Sequence, residues 1–413
     1  MNAIQKQIQR THHSAILLQQ AKQSVIKRMI LDFAGALVQS TATILAANKK
    51  DLAKMDVQNP LYDRLLLTPE RLQSISKGIK KVAKLNDPAG IIEEEKTLPN
   101  GILLQRMTVP LGVVAAIFES RPNVVADIAT LCLKSRNACV LKGSRDANHT
   151  NKALVKLLHS VLQRYQLPKE LVLLLPPQRE VVEELFTATK WIDVIIPRGS
   201  NSLIQFVRKN SLVPVIETGA GVCHVYVHGQ ADLLMAARIV VNAKTSRPSV
   251  CNAMDTILID ETIAPQFLAL LSPVFREKQV QLYADAKSFS LLRSYPHLHK
   301  AATEDYDREF LSLACAVKLV KNEEEALRHI AEHGTKHSEA IATANKKAAE
   351  RFLQRVDAAA VYHNASTRFT DGEEFGLGAE VGISTQKLHA RGPFALEKLV
   401  TEKWVARGNG QVR

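Results

Sequence analysis

The chain has 413 residues, 46% of them hydrophobic, which is ordinary for a globular protein and too long for one hydrophobic core. Two or more domains are expected. Lysine and arginine outnumber aspartate and glutamate by 54 to 41, a formal net charge of +13. The basic residues are spread along helices and aromatics are few, so small anionic ligands are favoured over a polynucleotide. No run of eighteen apolar residues occurs, which speaks against a membrane span. The polar, amphipathic start is not a secretory signal, and cytoplasm is the default expectation. The cysteines (Cys132, Cys139, Cys223, Cys251, Cys315) lack Cys-x-x-C spacing, so neither a disulfide framework nor a zinc site is indicated.

Residues 1 to about 85 read as helices, with apolar positions recurring at helical spacing through Ile16, Met29, Phe33 and Ile44. A break at Asn59-Pro60 precedes Thr68-Pro69-Glu70, an N-cap with proline in the first turn that opens a helix to about Lys84. Glu93, Glu94 and Glu95 read as a solvated patch. Ile102 to Val109 suits a strand or hairpin arm, and Val113 to Phe118 is a continuous apolar run, as in a strand buried on both faces. Helices at 124–133, 149–164, 179–188 and 200–209 then alternate with strands at 138–142, 171–175 and 192–196. Val213 to Ile216 is expected to close the series as a strand. This alternation predicts a parallel α/β sheet of Rossmann type. Residues 222–363 repeat the style, with strands at 223–227 and 255–259 and helices at 231–243 and 263–274, which predicts a second α/β domain. The tail from Asn364 is rich in glycine and polar residues.

One cysteine stands apart from the apolar runs. Cys251 falls in the polar turn Thr245-Ser-Arg-Pro-Ser-Val-Cys-Asn252, between a helix and a strand, where a rigid scaffold can aim a nucleophile. From the loop alone, a buried and inert thiol is the simpler reading. Lys142-Gly-Ser-Arg-Asp146 and Pro197-Arg-Gly-Ser200 each follow a strand and precede a helix, so each could set backbone N–H groups against phosphate. No Gly-x-Gly-x-x-Gly fingerprint follows the first strand of the sheet. Glu217, at a strand end beside Gly219 and Gly221, lies near the expected domain junction, as in a cleft enzyme. His329, His333 and His337 have i, i+4, i+8 spacing, but Gly334-Thr335 interrupts the helix and no further ligand is placed, so no metal is expected.

The segments Asp63-Arg-Leu-Leu-Leu-Thr68, Val109-Pro-Leu-Gly112, Glu119-Ser-Arg-Pro-Asn-Val124, Pro214-Val-Ile-Glu-Thr-Gly219, Arg247-Pro-Ser-Val-Cys-Asn252, His329 to Ile341 and Phe375 to Pro393 together carry a dense resemblance. The chain resembles the gamma-glutamyl phosphate reductases, a proline-biosynthesis branch of the aldehyde dehydrogenase superfamily. The resemblance implies an α/β, aldehyde-dehydrogenase-like fold. Its expected parts are an NADP-binding domain at 1–222 with an oligomerising hairpin near 99–112, a catalytic domain at 223–363, and a segment at 364–413 packing on the cofactor domain or a neighbouring subunit.

For the chemistry, the resemblance implies that Cys251 attacks L-glutamyl 5-phosphate and that NADPH reduces the resulting thioester to L-glutamate 5-semialdehyde. Asn123 is a candidate oxyanion donor, although a gap-free alignment puts Arg121 at that position and Asn123 fits after a two-residue shift. Arg121, Arg247, His337, Ser338 and Arg391 are implied as substrate-binding residues. Lys142, Gly143, Ser144, Arg145, Gly199, Ser200 and Glu309 are implied as cofactor-binding residues. Arg145, where NAD enzymes often carry a glutamate, predicts NADPH preference. Glu217 matches the glutamate that activates water in hydrolytic relatives, a role ill-suited to an enzyme that must keep water from a thioester. The implied partners are a second copy of the chain and glutamate 5-kinase for substrate hand-over, with no nucleic acid and no membrane.

Overall fold

The computed structural model describes residues 2–59 and 62–413, so Pro60 of the expected break lies outside the described residues. The chain forms two compact units. One comprises Met1–Thr218, Gly376–Gly382 and Phe394–Arg413; the other comprises Gly219–Phe375 and Ile383–Pro393.

The first unit opens with helices Ala3–Gln20, Gln23–Gln39, Thr41–Leu52 and, after a short turn of helix, Pro69–Lys84. Thr68 caps the last of these by accepting from the Arg71 amide, with Pro69 in the first turn. Its sheet is parallel and four-stranded, in the order Val172–Leu174, Ala138–Lys142, Val113–Phe118, Val194–Arg198. All six residues of Val113–Phe118 are buried, as its unbroken apolar run requires. Val213–Ile216 does not become a fifth strand. Pro214 has no N–H to give, and the segment keeps one isolated bridge, Val215 to Ile195.

The acidic patch is solvated, and it lies on a strand. Glu93, Glu94 and Glu95 lie on the strand Ile92–Thr97, antiparallel to Leu103–Pro110, which pairs in turn with Val400–Arg407. Arg106 answers the acids, 3.1 Å from Glu402 and 3.6 Å from Glu94. Opposite charges facing each other across strands stabilise this ribbon modestly.

The second unit is built on a seven-stranded parallel sheet. Its order is Leu298–Lys300, Gln281–Ala284, Ala314–Val320, Met254–Asp260, Cys223–Val227, Ser338–Ala342, Ala360–His363. Helices cover both faces. Val225 and Ile257 pack on one side with Val240, Phe267 and Phe275, while Tyr226 and Leu258 face the other with Ile341 and Phe352. This alternation, with both faces apolar, is what a central parallel strand demands. Among the described residues no single helix is long and apolar enough to cross a membrane.

Candidate active site

The helix Leu233–Thr245, capped by Asp232 on the Met235 amide, delivers the chain into turns that end at Met254, the first residue of a central strand. Cys251 sits in those turns. A buried ion pair ties the two ends of the loop: Lys244 Nζ lies 3.2 Å from Asp255 Oδ1, and both residues are essentially inaccessible. Burial pushes the Asp255 carboxyl upward, with Lys244 and the Phe310 amide drawing it back down. Removing one partner of such a pair strands a buried charge, at a cost of about 3–5 kcal/mol.

The loop is clamped along its length. Asn252 Nδ2 donates to the carbonyls of Arg368 (3.2 Å) and Thr370 (3.0 Å), and the Thr367 hydroxyl donates to the Asn252 carbonyl at 2.7 Å. The Arg368 guanidinium donates to Asn252 Oδ1 and to Ser246 Oγ, the latter at 3.1 Å. On the other side the Cys223 thiol donates to the Cys251 carbonyl at 3.2 Å. Gly221 passes so close that a Cβ there would lie 1.5 Å from that same oxygen.

The five cysteines now separate. None is in a disulfide; Cys132, Cys139, Cys223 and Cys315 are wholly buried, and Cys251 alone is partly exposed. Burial, reinforced by the Glu339 and Asp255 carboxylates, pushes the Cys223 thiol well up, and burial pushes Cys315 up to about 12. A thiol held protonated is a donor and a poor nucleophile, which is how Cys223 is used.

Beneath the loop lies a buried polar network. His337 Nδ1 is 2.8 Å from Ser338 Oγ, which donates to Thr370 Oγ1 at 2.6 Å. His337 and Ser338 have no accessible surface, so neither presents itself to a substrate as the sequence reading implied; both support the Thr367–Thr370 clamp from below. His224 Nδ1 and its own amide both meet Glu339 Oε2, at 2.9 and 2.8 Å. The helix carrying His329 and His333 stops at His333 with Gly334 as its C-cap, and among the described residues no His, Cys, Asp and Glu group could hold a metal. Elsewhere in this unit Glu309 Oε1 accepts from the Gly221 amide at 3.3 Å. Arg391 pairs with Asp357 at 2.7 Å, on a carboxylate shared with Lys387 and Lys336 and held well below the usual range.

Burial holds His337 neutral, its pKa lowered to about 4 from 6.5, and His329 lower still, to about 2. In the unfolded chain both take protons as pH drops through 6.5, so the unfolded state then binds more protons and stability falls on acidification. For His337 alone the loss between pH 7 and pH 4 is about 3 kcal/mol. The denaturation midpoint of His337→Gln is therefore expected to shift less than that of wild type over this range. Equal shifts would show that His337 is not held neutral by the fold.

In the first unit, Lys142 ends its strand with Nζ donating to the carbonyls of Gly143 (3.2 Å) and Pro177 (3.1 Å). Burial lowers its pKa, as does the charge of Arg145, which is itself exposed. A cavity of about 480 Å³ lies alongside, lined by Lys152, Lys156, His159, Leu173, Pro177 and Gln178. Ser144 Oγ accepts from the Ser120 amide at 3.1 Å. Ser200 caps the helix Asn201–Asn210, and the Glu119 carboxylate sits on the Ser200 amide at 2.8 Å. A Cβ on Gly199 would lie 2.3 Å from that carboxylate. Glu119 here occupies the kind of place an oxyanion takes at a helix N-terminus, so the turn is built for negative charge. Asn123 Nδ2 donates to Asp127 Oδ2 at 3.0 Å, one turn on, and burial raises Asp127 to about 6. Arg208 meets Glu217 at 3.2 Å.

The sequence reading passed over Glu119, Cys223, Asn252 and Arg368 as site residues. Glu119, Cys223 and Asn252 lie within segments that carry the family resemblance, Cys223 in Cys223-His-Val-Tyr226; Arg368 lies 117 positions from Cys251 and gives no local signal.

A partly exposed thiol on a clamped loop entering one parallel sheet, with turns suited to phosphate on another, is the arrangement expected of an oxidoreductase of aldehyde dehydrogenase type. The sequence model of the aldehyde dehydrogenase family matches residues 2–288. A gamma-glutamyl phosphate reductase of Chlorobium luteolum is 51% identical over 391 residues, covering 94% of this chain and 93% of the relative. The solved gamma-glutamyl phosphate reductase of Thermotoga maritima is 38% identical, with a TM-score of 0.95 and full coverage of both chains. A glyceraldehyde-3-phosphate dehydrogenase of Methanocaldococcus jannaschii, solved with NADP, shares the fold at 16% identity, with a TM-score of 0.72 over 98% of this chain and 94% of the other. The chain belongs to the gamma-glutamyl phosphate reductase branch of the aldehyde dehydrogenase family.

Proposed function

We propose that this protein reduces L-glutamyl 5-phosphate to L-glutamate 5-semialdehyde and phosphate with NADPH, through a thioester on Cys251. The observation that carries the reading is the single partly exposed thiol, on a loop fixed from both sides. The Cys251 thiolate adds to the acyl carbon, and the carbon–oxygen bond to phosphate breaks as the phosphate leaves with its electron pair. NADPH, when bound, would supply the hydride that reduces the thioester carbon. The tetrahedral adduct then collapses, releasing the aldehyde and returning the thiolate. Arg247, four residues before Cys251, is suited to the leaving phosphate. Asn123, its amide aimed by Asp127, keeps a second N–H for the oxyanion. Arg121 and Arg391 are further cations for the substrate's anionic groups. His337 and Ser338 act from beneath the loop.

The first unit has the features of a nucleotide site: the cavity beside Lys142, the Gly199 turn that a side chain would fill, and a helix N-terminus already holding a carboxylate. Lys142, Gly143 and Ser144 would meet the adenosine ribose, Gly199 and Ser200 the pyrophosphate once Glu119 gives way, and Glu309 the nicotinamide ribose. The expected division at 222/223 moves to 218/219, so residues 1–218 would act as the cofactor domain and 219–363 as the catalytic domain. The ribbon that includes residues 99–112 would join copies of the chain; of the tail expected to pack on the cofactor domain or a neighbour, residues 376–382 and 394–413 belong to the first unit, whereas 364–375 and 383–393 belong to the second. Substrate hand-over from glutamate 5-kinase and a cytoplasmic setting complete the proposal.

Exposed Arg145 is the residue we assign to the 2′-phosphate. Losing a charge-assisted contact and gaining a like charge should lower the NADPH-over-NADH ratio of kcat/KM in Arg145→Glu by about tenfold or more. An unchanged ratio would remove Arg145 from cofactor selection. The function itself is tested in the reverse direction, by NADP reduction with the semialdehyde. The rate should require phosphate and exceed that with simple aldehydes; phosphate-independent oxidation of simple aldehydes would overturn the reading.

A further inference from the structure

We propose that Arg368 is the positioning residue of the thiol loop: its guanidinium grips Asn252 and Ser246, one on each flank of Cys251, and so holds a positive charge within reach of the sulfur. The proposal rests on Cys251 being the nucleophile. Arg368 arrives on the short helical turn Thr367–Phe369, which is locked to Asn252 by three hydrogen bonds: from Asn252 Nδ2 to the carbonyls of Arg368 and of Thr370 just beyond the turn, and from the Thr367 hydroxyl to the Asn252 carbonyl. The side chain therefore has little freedom to choose another place.

Its electrostatic surroundings are informative. Burial and the like charge of Arg247 both work against the Arg368 charge, while Asp371, Cys251 and Cys223 favour it. Two guanidinium groups held together beside one acid are costly unless an anion shares the site. Cys223 cannot be that anion, since its own surroundings hold it protonated. The Cys251 thiolate can, and in turn Arg368 lowers the cost of forming it. Arg368 thus acts on the reaction through the loop and its charge, without itself meeting the reacting carbon.

The test is the pH dependence of Cys251 alkylation by iodoacetamide in the full chain, followed by mass spectrometry of the Cys251 peptide. The thiolate displaces iodide and the proton goes to solvent, so the rate reports the thiolate fraction with no substrate or cofactor present. Arg368→Gln keeps hydrogen-bonding capacity and removes the charge. Its titration should move to higher pH, with alkylation at pH 7 about tenfold slower than wild type. Arg368→Lys, which restores the charge, should recover most of that rate. A Gln variant that titrates with wild type, or a Lys variant as slow as Gln, overturns the role. So does a wild-type Cys251 that titrates as an ordinary thiol. A low titration lost in Arg368→Gln, in a protein with no phosphate-dependent turnover, would support Arg368 while rejecting the substrate reading, so the two fail separately.

Discussion

Cys251→Ala is expected to abolish phosphate-dependent NADP reduction, lowering turnover by about four orders of magnitude or more, while leaving the melting temperature close to that of wild type. The size of the effect follows from the lack of a substitute. The other four thiols are wholly buried, and Cys223, the one that touches the loop, is held protonated and spends its proton on the Cys251 carbonyl. Stability should change little, because the loop is fastened through Asn252, Ser246 and the Cys251 carbonyl, all of which the alanine variant keeps. The measurement is semialdehyde- and phosphate-dependent NADP reduction beside a thermal melt. Turnover within tenfold of wild type would take the nucleophile's role from Cys251.

Much of the framework was legible before any coordinates. The unbroken apolar run Val113–Phe118 and the strand–helix alternation after it announce a buried parallel sheet, because a strand covered on both faces has no polar side to show. Where pairing depends on remote sequence, the reading faltered. Glu93 to Glu95 read correctly as solvated, but not as a strand, since nothing nearby says that Leu103–Pro110 and, some 300 positions on, Val400–Arg407 form a ribbon with them. Val213–Ile216 has strand composition, but Pro214 limits it to one bridge. The site divides in the same way. The turn around Cys251 was visible as a motif, whereas its supports come from Cys223, Arg368 and Gly221, brought in by topology. Burial is the other quantity a motif does not carry: His337 and Ser338 belong to a conspicuous segment, yet they lie where no substrate reaches them.

Gly221→Ala should be the most damaging single methyl group in the second unit. The added Cβ would lie 1.5 Å from the Cys251 carbonyl oxygen, 2.6 Å from its carbon and 3.2 Å from its Cα, all main-chain atoms that no side-chain rotation can clear. The Gly221 φ is not in the left-handed region, so the demand for glycine here is one of space and not of backbone conformation. Neither wall can retreat easily. Gly221 is held by its amide to Glu309 Oε1 at 3.3 Å, and Val222 by its amide to Thr335 Oγ1 at 2.9 Å. The loop opposite is held by Cys223, Asn252 and Arg368. Relief therefore means pushing the Cys251 segment away by an ångström or more, which overpacking data price at about 1–3 kcal/mol of stability. Misplacing a reacting group by about 1 Å costs on the order of a hundredfold in rate. Turnover of Gly221→Ala should fall by at least that factor, and Cys251 alkylation should slow with it because the sulfur leaves its cationic surroundings. A variant that turns over and alkylates as wild type would mean that the Cys251 carbonyl does not sit against Gly221 in the working enzyme.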